Sequence, residues 1–187
     1  FCGSKFAVAL DNCTNALFLS LKYKKIKNKE IIIPSNTYLS VPQSILRSGN
    51  KPVFADLEWS GLYQLGETNI YDCAGRLKEN MYIPNSYMCL SFHIKKLLGI
   101  GKGGMILTND KKAYEWFKYA SYDGRDLSKY YMDDDFSLIG WHMYMTPEDA
   151  ARGIILMDSV PNVNEDTGSS KTYSDLSNKE VFKEYLG

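Results

Sequence analysis

The chain has 187 residues, 44% of them hydrophobic, and its 22 basic and 22 acidic side chains cancel to a formal net charge of zero. That length and balance suit one well-filled domain with room for an appendage, and they give no electrostatic footprint for nucleic acid or an acidic membrane surface. No apolar run is long enough to cross a bilayer, and four cysteines and two histidines without ligand spacing point to reduced thiols in a cytoplasmic protein with no metal.

Phe6 to Leu10 reads as a short apolar strand. Asp11-Asn12-Cys13-Thr14-Asn15 then precedes an apolar helical run, Ala16 to Tyr23. Small polar residues ahead of a helix satisfy its free N–H groups, and the same groups bind phosphate; on these residues alone a plain N-cap is the simpler reading. Lys22 to Lys29 is a solvated basic connector, and Glu30 to Ile33 is a strand running into Pro34-Ser35-Asn36-Thr37-Tyr38. Tyr38 is open to a core role or to stacking on a ring. A helix from Tyr38 to Ser48 tolerates Pro42 only near its first turn and stops at Gly49. Lys51 to Asp56 is the next strand. Asp72 closes a short strand, where an aspartate is most often a turn former.

Tyr87 to Phe92 reads as a buried strand, with Lys95 and Lys96 just beyond it. A glycine-rich turn and a second strand, Met105 to Thr108, follow. Burial at a strand end and a neighbouring like charge both disfavour an ammonium. A neutral amine is what a Schiff base to an aldehyde cofactor requires. A surface turn with solvated lysines is the competing reading. Asn109 to Tyr122 is an amphipathic helix, and Asp133 to Asp135 a solvated loop. Thr146 caps a helix whose Ala150, Ala151 and Gly153 permit close packing. Ser159 to Ser177 is polar and turn-rich, and Leu176 to Leu186 is a last short helix.

Taken together and in order, these segments resemble the DegT/DnrJ/StrS family of sugar aminotransferases, pyridoxal-phosphate (PLP) enzymes of the aspartate-aminotransferase fold. The resemblance is carried by Phe6 to Leu17, by Pro52-Val53-Phe54-Ala55-Asp56 and by Ile70 to Gly75. Ser91-Phe92-His93 through Gly103-Gly104, and Gly140 to Thr146, extend it to about Met157. It implies that Lys96, three residues after His93, carries the cofactor and moves the proton, with Asp72 pairing the pyridine nitrogen. It further implies that Tyr38 stacks on the ring, and that Thr14, the backbone of Cys13 and Asn15, and Ser91 hold the phosphate. His93 is expected to be a packing or supporting residue. His142 lies in the segment that, in the family, reaches across a dimer toward the partner's cofactor phosphate.

The fold so implied is α/β, a three-layer α/β/α arrangement around a mostly parallel mixed sheet. It is a reduced large PLP domain over residues 1–158, then a polar linker and short helix over 159–187, with the small domain expected to be absent. Only Leu57 to Asn69 separate the third strand from the Asp72 segment, so at least one helix-bearing crossover is expected to be missing. Cys13 replaces a glycine, Gly75 a glutamine that bonds the cofactor's ring oxygen, and His142 and Tyr144 an asparagine and an arginine. The implied function is amino transfer, with glutamate as donor, to a nucleotide-linked keto-sugar in a homodimer. A trimmed, non-catalytic paralogue acting as a binding or assembly module is the alternative that these departures favour. Sugar deoxygenation is a third, which Lys96 disfavours, since relatives with that chemistry typically carry histidine there.

Overall fold

The protein is described by a computed structural model covering residues 1–186. In chain order its elements are β1 (Phe6–Leu10), α1 (Cys13–Tyr23), β2 (Glu30–Pro34), α2 (Ser40–Arg47), β3 (Lys51–Ala55), β4 (Tyr63–Gln64) and β5 (Ile70–Asp72). They continue with β6 (Tyr87–Ser91), β7 (Gly104–Thr108), α3 (Lys111–Ala120), α4 (Pro147–Met157) and α5 (Glu180–Leu186).

The architecture is α/β around a mixed sheet. Five strands pair in the order β1-β7-β6-β5-β4, while β2 and β3 form a separate parallel pair. Within the larger sheet only β5–β6 is parallel; β1–β7, β6–β7 and β4–β5 are antiparallel. The pairing therefore corrects the expectation of a mostly parallel sheet, and for β4 the reason is chain length. A parallel neighbour for β5 needs a crossover of a dozen or more residues, usually a helix, whereas an antiparallel neighbour needs only a hairpin. The short stretch after β3 makes the hairpin: β4 turns at Gly66 and pairs Tyr63 with Asp72. Gly66 N–H also donates to Ile32 O of β2 at 2.8 Å, so β4 lies at the seam between the two sheets.

Alternation along the strands divides the core. Tyr87, Cys89 and Ile106 face α1 and α3, while Met88, Leu90 and Leu107 face the other side. Helix α1 buries Ala16, Leu17, Phe18, Leu19 and Leu21, which marks it as the central helix. Each such large side chain contributes about 1.5–3 kcal/mol. The second face is thinly covered, by Cys2, Leu77, Leu98, Ile100 and the edge of α4, which has no buried residue of its own.

The polar segment after α4 does not hang free as a linker. Residues 164–176 run back over the body as a strap: Leu176 N–H donates to Ser35 O, Asn36 Nδ2 to Tyr173 O, and Trp59 stacks on Tyr173. Phe182 of α5 is buried edge-on to Phe54 of β3.

Candidate functional site

The C-terminal ends of β5 and β6, the N-terminus of α1 and the strap enclose a cleft of about 720 Å³. Asn12, the α1 cap, accepts from Asn15 N–H through Oδ1 at 2.7 Å. The first N–H groups of a helix have no partner within it, so this end of α1 presents donors and positive partial charge. Thr14 lines the cleft, its hydroxyl donating to Ser40 Oγ at 2.8 Å. Gly104 is required by close approach: a Cβ there would lie 2.3 Å from the Asn12 carbonyl carbon, so a side chain would push β7 away from the loop before α1.

Asp72, at the end of β5, is the buried charge of the site. Its Oδ1 accepts Ala74 N–H at 2.9 Å and lies 4.0 Å from Cys13 Sγ; its Oδ2 accepts the Tyr63 hydroxyl at 3.0 Å. Burial raises its carboxyl above the ordinary value, against the pull of the Ala74 N–H, the Tyr63 hydroxyl and the Lys96 ammonium. Burial, then the Asp72 charge, in turn hold the Cys13 thiol and the Tyr63 hydroxyl in their neutral forms. A carboxylate oxygen has about two acceptor positions, so Asp72 keeps capacity for one more donor from the cleft.

The two lysines separate. Both line the cleft, but Lys95 is exposed, whereas Lys96 is half-buried and close enough to Asp72 and Cys13 to favour their charged forms. Cys13, Thr14, Tyr38, Asp72, Ser91 and Lys96 thus share one cavity. Tyr38 is 55% exposed at its mouth, edge-on to Tyr173 at 6.2 Å.

Asn15 and His142 are not brought there. Asn15 N–H is held by Asn12, and its side chain bonds Asp11 and Arg47. His142 is exposed outside the cleft, with Nδ1 2.8 Å from Asp123 Oδ2. His93 does not pack in the core but stands exposed on the cleft wall, where Nδ1 accepts Lys95 N–H at 3.3 Å.

Sequence reasoning missed Tyr63 with its partner Thr37, and the strap residues Thr167, Thr172 and Tyr173 that line the cleft. Tyr63 had a signal: the Leu65-Gly66-Glu67-Thr68-Asn69 stretch between two short apolar runs is a hairpin pattern.

Known proteins resemble this chain in sequence and in fold. The family described as the DegT/DnrJ/EryC1/StrS aminotransferase family matches residues 1–64 and 84–175. Asp72 falls in the unmatched interval, so its place rests on the fold. The spore coat polysaccharide biosynthesis protein SpsC of Bacillus subtilis is 46% identical over 59 residues, 31% of this chain and 15% of SpsC. A GDP-perosamine synthase of Caulobacter vibrioides is 25% identical over 203 residues, covering 86% of this chain and 54% of its own. In fold, Spr1654 of Streptococcus pneumoniae, solved in a PLP form, superposes with a TM-score of 0.67 at 16% identity, over 87% of this chain and 57% of that one. The chain thus spans about half the length of the relatives that match it most extensively. Pyridoxal phosphate is the cofactor that this kinship indicates. On the family match and the shared fold, the chain belongs to the DegT/DnrJ/EryC1/StrS aminotransferase family.

Proposed function

We propose that this chain binds PLP in the cleft and uses it to transfer an amino group to a sugar, the acceptor being a nucleotide-linked keto-sugar and the donor glutamate. One observation carries the reading: Lys96, from the turn after β6, and Asp72, at the end of β5, line one cavity that the N-terminus of α1 also enters. The donor set suits the cofactor. An amine suits its aldehyde, a buried carboxylate its ring nitrogen, and a helix N-terminus with the Thr14 and Ser91 hydroxyls its phosphate.

When bound, PLP supplies an electron sink for the carbon that carries the amino group. Asp72 would hold a proton on the ring nitrogen, and Tyr63 and Ala74 fix the carboxylate for that role. Lys96 would hold the cofactor through Nζ at its aldehyde end and would serve as the base that moves a proton there. Tyr38, at the mouth of the cleft, would cover the ring. The relatives named above act in sugar and polysaccharide pathways by their descriptions, which supports a sugar acceptor. No described helix is long and apolar enough to cross a membrane, in keeping with a cytoplasmic site of action. We take the working unit to be a homodimer.

The test is spectroscopic. Purified protein mixed with PLP should develop a visible absorption band that Lys96→Ala abolishes, and glutamate should then bleach it. No Lys96-dependent band would leave the non-catalytic binding module, the reading that Gly75 and Tyr144 favour.

A further inference from the structure

The strap is pinned where it crosses the cleft. Asp166 pairs with Arg76 at 2.6 Å and with Lys78 at 3.1 Å. Gly61 N–H donates to Gly168 O at 2.7 Å, and between these anchors Thr167 N–H donates to Gly75 O at 2.8 Å. The position of Thr167 is therefore set on both sides, by ionic and backbone contacts to the loop that follows Asp72 and by the backbone of Gly61 ahead of β4.

Its side chain is free to act. Thr167 is exposed, lines the cleft, and also borders with Ala74, Ser91 and Lys96 a water-sized cavity of about 10 Å³. Its hydroxyl donates to Gly75 O at 3.3 Å, a long bond that a better acceptor can replace. The other cleft hydroxyls beside the helix end, Thr14 and Ser40, are bonded to each other, and neither borders that small cavity. In PLP the ring oxygen is attached next to the carbon that bears the aldehyde, so an amine that holds the aldehyde brings that oxygen close to its own neighbours. Two neighbours of Lys96 in that small cavity carry an O–H that can be redirected, Ser91 and Thr167; with Ser91 assigned to the phosphate, Thr167 is left for the ring oxygen.

We propose that the Thr167 hydroxyl is a cofactor-contacting group that donates a hydrogen bond to the ring oxygen of PLP, so that the strap completes the site rather than merely covering it. This rests on the PLP reading above.

The experiment compares PLP binding by the full chain with that of Thr167→Val, Thr167→Ser and Ser91→Ala, reading the dissociation constant and the pH midpoint of the visible band. Thr167→Val should weaken PLP binding about ten- to a hundredfold, as expected for one hydrogen bond to a charged oxygen. It should also raise the midpoint, because an oxygen whose charge is no longer shared with a hydroxyl holds the adjacent proton more tightly. Thr167→Ser should restore both. Since Thr167 is exposed, the variants are expected to fold. A Lys96-dependent band in the parent with affinity and midpoint unchanged in Thr167→Val would overturn the assignment, even if thermal stability fell. So would a midpoint that moves in Ser91→Ala alone. Absence of the band from the parent would overturn the cofactor reading and this one with it.

Discussion

The Tyr63 hydroxyl donates to Asp72 Oδ2 at 3.0 Å while itself sharing a short hydrogen bond with Thr37 Oγ1. This ties a two-residue strand to the buried carboxylate of the site. Tyr63→Phe keeps the ring and removes the bond. It should destabilise the fold by about 1–2 kcal/mol, since a buried carboxylate oxygen and the Thr37 hydroxyl both lose a partner. Urea denaturation checks this, and an unchanged midpoint would show that the bond adds nothing to stability.

Asp72 also gives a pH dependence with a definite sign. Burial raises its folded-state pKa above the unfolded value of about 4. The fold therefore binds that proton more tightly than the unfolded chain does. The contribution is fully present below the unfolded pKa and is lost as pH rises through the folded one. Asp72→Asn deletes it. The stability of the parent relative to the variant should fall as pH rises from about 4 and then level off above the raised value. Paired denaturation series across that range measure the difference, and a parallel pair of curves would refute it.

Asp166 works in the opposite direction. The Arg76 hydrogen bonds, then the Lys78 contact, hold its carboxyl well below the ordinary range. Its stabilisation is present above the unfolded value of about 4 and disappears as pH falls toward the depressed one. Asp166→Asn should cost about 1–2 kcal/mol at neutral pH, a modest figure because Arg76 is partly exposed to solvent screening. The loosened strap should also be cut sooner by protease between residues 159 and 172. Cleavage at the parent's rate would show that the ion pairs do not hold it.

Glutamine at position 75 offers a steric test. A Cβ on Gly75 would lie 3.0 Å from Gly61 O and 3.2 Å from Gly168 N, both backbone atoms unable to swing aside. Gly75→Gln should therefore displace the strap and lower thermal stability by several degrees, consistent with a 1–3 kcal/mol overpacking cost. A stable variant with the strap still protected would contradict the close packing.

What the sequence disclosed follows from locality. The strands around Phe6, Ile31, Val53 and Met88 announce themselves by apolar runs, and Asn12, Asp110 and Thr146 cap the helices that follow them. Lys96, Asp72 and Thr14 stood out because their neighbours form recognisable short patterns. The remainder depends on contacts that no local pattern carries. Arg76 and Asp166 lie 90 positions apart, and the turn-rich composition of 159–177 reads as a linker whether or not it docks. Strand β4 is too short to show a period of two. The backbone of Asn15 is expected in the phosphate loop, but its N–H is already taken by the Asn12 side chain that caps the helix.

The seam between the two sheets has a mechanical implication. Across it the backbone contributes the Gly66–Ile32 hydrogen bond, and the side chains contribute Thr37 with Tyr63. Thr37 and Tyr38 extend directly from β2, whereas Asp72 ends β5. Any parting along that line would carry Tyr38 away from Asp72, so the fastener that holds two sheets edge to edge also sets the width of the cleft.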